Sequence, residues 1–182
     1  MSYFFDSERF TPIQFDPLSW RNAPPLRDDL VEQIQGVEPS ANGRLLVHPC
    51  QVQFASGRIE DRVLVMNAEW FTSVWSVDHR QWETLSLTDA VSFRESPSRL
   101  PAAIANRIYL DGERNMGAYA FELSFEGRPA VQFVVGSFVD FVDLPPGYGA
   151  SECTTVRPLR EDLDESRARR GIHFERSFYR RA

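Results

Sequence analysis

Between Met116 and Leu144 the residue pattern leaves few ways to fold. From Tyr119 to Phe125 every second residue is apolar, with Tyr119, Phe121, Leu123 and Phe125 separated by Ala120, Glu122 and Ser124. Successive side chains of a strand point to opposite faces, so this spacing predicts a half-buried strand. After Glu126, Gly127, Arg128 and Pro129 the chain resumes with Val131, Phe133 and Val135 on one parity, which predicts a hairpin. Opposed residues of an antiparallel pair share a face, so parity constrains the turn. A two-residue Glu126-Gly127 turn would set Phe121 against Gln132 and Leu123 against Ala130. Loops of three or five residues match the parities and leave Pro129, which has no N–H to donate, in the loop or at the strand start. The longer loops are therefore expected.

Gly136 and Ser137 break the alternation, and Phe138, Val139, Phe141 and Val142 are then apolar on both parities. This predicts a bend at Gly136 and a following segment covered on both sides. Asp140 and Asp143 are embedded there, and a buried Asp140 needs a partner, for which an arginine is the expected answer.

Leu26, Leu30 and Ile34, between Pro24-Pro25 and Gly36, predict a helix over Leu26 to Gln35. A second runs from Ser98 to Leu110, with Leu100, Ile104 and Ile108 on one face, Ser98 as cap, Pro101 near the first turn and Asp111-Gly112 as the stop. Arg44 to Phe54 and Arg58 to Phe71 read as strands, the second apolar on both parities and hence central. A strand is expected near Cys153 to Val156, a solvated helix over Arg160 to Arg170, and a last edge strand over Ile172 to Tyr179. Trp70 to Trp82 and Leu85 to Phe93 show no decisive period. The expected fold is α+β, a mainly antiparallel, rolled or barrel-like sheet of about five to seven strands with two or three short helices.

The 182 residues show no repeat and no linker, so a single domain over 1–182 is expected. Residues 1–25 form an aromatic and proline-rich arm, with Tyr3, Phe4, Phe5, Phe10, Phe15 and Trp20, expected to pack on the domain or on a neighbouring subunit. No run approaches the roughly 18 apolar residues of a membrane span, and Asp6 and Glu8 stand where a secretory signal carries positive charge. The expectation is a cytoplasmic protein with no membrane contact.

All 20 basic residues are arginine. Without lysine there is no P-loop lysine, Schiff base or lysine general base, and the bias fits a GC-rich bacterial genome. The net charge of −6 argues against indiscriminate nucleic-acid binding. Its distribution is uneven, because residues 167–182 carry six arginines against Glu175, about +5, which leaves about −11 for the rest. Arg167, Arg169, Arg170, Arg176, Arg180 and Arg181, interleaved with Phe174, Phe178 and Tyr179, define a candidate basic surface for nucleic acid. Neutralising Glu161, Asp162, Asp164 and Glu165 just upstream, or the acidic remainder of the chain, is the preferred role.

The most site-like cluster is Asp78-His79 between Trp75 and Trp82, where a carboxylate beside an imidazole suits a general base. With Trp70, Asp140 and Tyr148 it defines a candidate aromatic pocket, weighed against a polar turn flanked by core tryptophans. His48, Cys50, Cys153 and His173 have the residue types of a zinc set but not its close spacing, and both cysteines read as buried thiols. Glu113, Glu122, Asp140 and Asp143 offer carboxylates whose simpler role is structural. Pro145-Pro146-Gly147-Tyr148 matches a PPxY pattern but is ordinary turn chemistry. No GxGxxG, GxSxG, HExxH or EF-hand pattern occurs, so no cofactor, metal or catalytic residue is assigned. The preferred expectation is a non-enzymatic protein-interaction module, a subunit of an assembly or an acidic binding partner or inhibitor, with a protein partner or self-association. The alternative is a small-molecule-binding protein or enzyme with an aromatic-lined pocket.

Overall fold

The computed structural model describes residues 16–159, 163–164 and 166–182. Its elements in chain order are β1 (Pro25–Leu26), α1 (Asp28–Gln35), β2 (Ser40–Asn42), β3 (Leu45–Phe54), β4 (Ile59–Asn67), α2 (Ala68–Trp75), β5 (Ala90–Glu95), α3 (Ala102–Asp111), β6 (Tyr119–Phe125), β7 (Arg128–Val135), β8 (Cys153–Pro158) and β9 (Glu175–Arg181). The fold is α+β, with three α-helices and two sheets among the described residues.

The larger sheet is curled and mixed, with strand order β1-β9-β4-β3-β2 and β5 also paired to β3. β2 and β5 share one edge of β3, β2 opposite Leu45 to Val47 and β5 opposite Cys50 to Phe54. β9 runs parallel to both β4 and β1, so the sheet is mixed, whereas the pairings of β3 with β2, β4 and β5 are antiparallel as expected. This last strand is not the edge expected. It lies between β4 and β1, and Ser177, Phe178 and Tyr179 are buried. Between β4 and β9 the chain passes through the whole second sheet, a connection long enough to permit parallel pairing.

That second sheet has the order β7-β6-β8, all antiparallel. The hairpin corrects the turn length but keeps the register. Phe121 pairs Phe133 and Leu123 pairs Val131, while Glu126-Gly127 forms a two-residue turn with Phe125 opposite Arg128. The parity conflict is absorbed by a bulge, since one residue of β6, Ser124, faces two of β7, Pro129 and Ala130. Pro129 sits in that bulge on the sheet edge, where its missing N–H leaves no rung unpaired.

Other boundaries shift for identifiable reasons. Leu26 does not open a helix, because Pro25 and Leu26 are extended against Arg180 and Arg181, and α1 begins at Asp28 with two acids in its first turn. The strand expected to reach Phe71 stops at Asn67, whose side chain accepts from Trp70 N at 2.9 Å and caps α2. Ser98 caps nothing, since its hydroxyl donates to Asp61 Oδ2 at 2.5 Å, and α3 starts behind Pro101. Of the helix expected over Arg160 to Arg170, residues 160–162 and 165 lie outside the described ones, and no described residue there is helical. The Asp164 carboxylate accepts from Ser166 N and Oγ, a local turn that competes with helix. Of the arm, residues 1–15 lie outside the described residues. Residues 19–22 form a 3-10 turn, and Trp20 packs against the α2 core.

Helix α1 packs on one face of the larger sheet, with Leu30, Val31 and Ile34 on Cys50, Val52, Val63 and Val65. Helix α2 packs on the other, with Phe71 among Leu45, Leu64, Met66 and Phe178. Helix α3 closes the second sheet. Residues 138–142 lie where the last two cores meet. Phe138 and Phe141 belong to the α2 core, Val139 and Val142 to the α3 core, which explains why both parities are apolar.

Candidate functional site

Of the residues singled out from sequence, His48, Trp70 and Arg181 meet in one groove, whereas Asp78, His79, Trp75, Trp82, Asp140 and Tyr148 do not line it. Asp78 is buried, and both of its oxygens are taken by Arg80, the closest contact being 2.5 Å from Nη2. That pairing holds its carboxyl below the usual range against the opposing effect of burial. His79 Nδ1 is 3.9 Å from Asp78 Oδ1, too far for the hydrogen bond a general base needs. The imidazole instead stands edge-on to Phe178 at 5.3 Å, and among the described residues neither ring nitrogen has a partner. Trp75 and Trp82 pack against each other and against Phe71 and Phe138. This arrangement is an aromatic core, with Arg176 stacked over Trp82 at 5.3 Å.

Tyr148 is elsewhere, edge-on to Phe125 on the second sheet, its hydroxyl donating to Pro129 O at 3.3 Å. The Pro145-Pro146-Gly147-Tyr148 stretch is a turn closed by Tyr148 N on Pro145 O. Asp140 is fully buried and accepts from Ser40 Oγ at 2.5 Å and Tyr109 Oη at 2.9 Å. Glu122 pairs with Arg157, and Asp143 with Arg169. Cys50 lies in the core of the larger sheet and Cys153 in that of the smaller. Burial raises both thiols, Cys153 to about 11, which keeps them protonated and poor nucleophiles at neutral pH. Among the described residues no three His, Cys, Asp or Glu side chains group as a metal site requires.

The basic tail is also dispersed. Arg167 pairs with Asp164 and Arg169 with Asp143 beside the second sheet. On β9, residues 176 and 180 share the α2 face, whereas 181 is on the α1 face, because alternate residues of a strand point oppositely.

That α1 face carries a groove that sequence did not reveal. The registers His48 to Val65 and Asn67 to Tyr179 put Leu46, His48 and Cys50 of β3, Val65 and Asn67 of β4, and Tyr179 and Arg181 of β9 on one face. Helix α1 has eight residues, about 12 Å of axis, and ends at Gly36 before covering the end of this face. The uncovered end is an open groove of about 640 Å³. Leu46 and Trp70 line it at 47% and 43% exposed, and Pro39 and Tyr179 complete an apolar wall. Trp70 is held by its indole N–H, which donates to Arg44 O at 2.7 Å.

Polar groups converge on the same space. His48 Nδ1 is 3.0 Å from the Val37 carbonyl. A carbonyl only accepts, so Nδ1 carries the proton and Nε2 presents a lone pair. Burial lowers the His48 pKa, with Arg99 adding to the effect and the Val37 bond opposing it, so the ring is neutral at pH 7. Asn67 spends its Oδ1 on the α2 cap and keeps an amide N–H2 for the groove. Glu69 and Arg181 supply one charge of each sign.

The groove draws on four separate segments, which is why no local motif marked it. The available signals were His48 and Cys50, read from sequence only as members of a zinc set, and Trp70, read as part of a pocket with Asp78 and His79. Among the described residues no helix is long and apolar enough to cross a membrane. Comparison with protein-family models, with curated proteins and with solved structures found no match, so function is argued from the groove itself.

Proposed function

We propose that this chain is a non-enzymatic binding module that takes a small organic ligand in the groove between the end of α1 and the start of α2. The observation that carries this reading is Trp70, a large aromatic left 43% exposed beside Leu46 in a concavity of about 640 Å³. Ligand sites are commonly concave, mostly apolar and furnished with a few placed polar groups, and His48, Asn67, Glu69 and Arg181 supply these. Among the described residues of the groove no nucleophile is paired to a base, the Ser73 hydroxyl donating instead to Trp70 O at 2.8 Å, which favours binding over catalysis. Fragment screening by NMR tests the reading through the indole N–H of Trp70, assigned with a Trp70→Phe variant. Hits that perturb Trp70 and His48 together are expected. A screen whose hits leave both unmoved overturns it.

A second reading, an interaction module that assembles with another protein or with its own copy, is favoured by a different observation. Leu110 and Met116 are 78% and 99% exposed at the end of α3 and in the loop beyond it, where apolar side chains gain from being covered. Native mass spectrometry is expected to show a dimer or higher assembly under this reading, weakened by Leu110→Ser with Met116→Ser. A strict monomer that retains no partner removes it.

A further inference from the structure

The polar groups of the groove are arranged for a ligand that carries both charges. β4 and β9 are parallel with Asn67 opposite Tyr179, so Arg181, two residues on, comes level with the start of α2, where Glu69 stands two residues past Asn67. Both line the groove, and among the described residues neither makes an ion pair. An anionic ligand would satisfy Arg181 and be repelled by Glu69. A cationic one would meet the reverse, and a neutral one would leave both charges to water. The hydrogen-bonding inventory divides the same way. Arg181 and the Asn67 amide donate, whereas the Glu69 carboxylate and the neutral His48 Nε2 accept.

We infer that the groove binds a free amino acid with an apolar side chain, its carboxylate on Arg181 and Asn67, its ammonium on Glu69 and His48, and its side chain against Trp70 and Leu46. A guanidinium matches a carboxylate through two parallel N–H bonds. The three N–H groups of an ammonium need acceptors, and a carboxylate with an imidazole lone pair gives two. The Trp70 face accommodates aliphatic and aromatic side chains alike. Rejection of singly charged analogues follows from the unmatched charge each would meet, as much as from the contact each would lose.

This inference rests on the small-molecule reading of the groove, and one experiment separates their failures. The full chain is titrated with L-phenylalanine, phenylacetate, phenethylamine and benzyl alcohol, following heat by calorimetry and the Trp70 indole N–H by NMR. All four carry the same ring. L-phenylalanine is expected to bind at least about tenfold tighter than the other three. Glu69→Gln should abolish its advantage over phenylacetate, and Arg181→Gln its advantage over phenethylamine; both residues are exposed, so folding is not at stake. If all four shift Trp70 with equal affinity, or if phenylacetate matches L-phenylalanine, the amino-acid assignment falls and the groove reading stands. If none shifts Trp70, the amino-acid assignment falls, and the fragment screen decides the groove reading.

Discussion

The Tyr109 hydroxyl donates to Asp140 Oδ2 at 2.9 Å and accepts from Val139 N at 3.1 Å. On the other side of the carboxyl, Ser40 Oγ donates to Oδ1 at 2.5 Å and itself accepts from Arg99 Nη2 at 3.2 Å. The arginine expected against Asp140 is therefore present at one remove, relayed by a serine. Ser40 belongs to the larger sheet and Tyr109 to the helix that closes the smaller one, so Asp140 ties the two together. Removing a partner from a buried polar group costs about 1–3 kcal/mol. Tyr109→Phe and Ser40→Ala should each lower unfolding free energy by that amount. In an Asp140→Asn background the cost of Tyr109→Phe should shrink, because the groups act as one network. Equal costs in both backgrounds, measured by urea denaturation, would show that the network is not coupled.

Asp140 also shapes stability against pH. Burial raises its pKa, with the Ser40 and Tyr109 hydroxyls and Arg99 opposing. The native state then holds a proton at pH values where the unfolded chain has lost it. Stability must fall as pH rises from the ordinary carboxyl value through the raised one. Glu83, raised chiefly by burial, contributes in the same sense. Asp140→Asn cannot titrate, so its stability profile should be flatter than that of the wild type as pH rises from the ordinary carboxyl value. Parallel profiles would assign the dependence to other groups.

His79 is buried, both ring nitrogens lack a partner among the described residues, and burial lowers its pKa despite the attraction of Asp78. A lowered imidazole means that the unfolded chain takes up a proton near the ordinary value of 6.5 while the folded one does not. The stability it permits above that value is lost as pH falls below it. Replacing an unsatisfied polar group by an apolar one of similar volume is neutral to stabilising. His79→Leu should raise unfolding free energy by about 1 kcal/mol at pH 7, and by more near pH 5. A large loss at both pH values would reveal a hydrogen bond that the ring makes in solution.

Gly127 occupies φ +66 in the β6–β7 turn with nothing within 4 Å of the position a Cβ would take. The cost of Gly127→Ala is therefore purely conformational, about 1–2 kcal/mol. A thermal melt in which Gly127→Ala is unchanged from wild type would mean that the turn relaxes to another form.

This hairpin illustrates what residue pattern can carry. Alternation specified which faces meet, Phe121 with Phe133, because a slip would expose both. It did not specify the turn, since a bulge at Pro129-Ala130 costs little on an edge and restores parity. The double parity after Gly136 was equally legible, because a segment between two cores must be apolar on both sides. By contrast, the parallel placement of β9 depends on where the chain returns after the second sheet, which no local pattern encodes. Asp78 and His79 attracted notice as neighbours in sequence, yet Arg80 claims the carboxylate. The groove was illegible for the opposite reason, since Leu46, Asn67, Trp70 and Arg181 meet only once α1 has stopped short of covering them.

The chemistry of the groove depends on which nitrogen of His48 bears the proton. Its Nδ1 faces the Val37 carbonyl, which enforces the Nδ1–H tautomer and leaves Nε2 as an acceptor. Burial of the ring and, to a lesser extent, the positive charge of Arg99 disfavour a second proton against the opposing Val37 bond. Nitrogen-15 NMR at pH 7 should report a protonated Nδ1 and a bare Nε2. The ring should titrate below the ordinary value of 6.5. Once the second proton arrives, Nε2 turns from acceptor to donor and brings a positive charge, so affinity for any ligand presenting an ammonium to it must fall with acidification through that midpoint. A midpoint at or above 6.5, or an Nε2–H tautomer at neutral pH, would remove His48 from the acceptors and leave Glu69 to hold a cationic group alone.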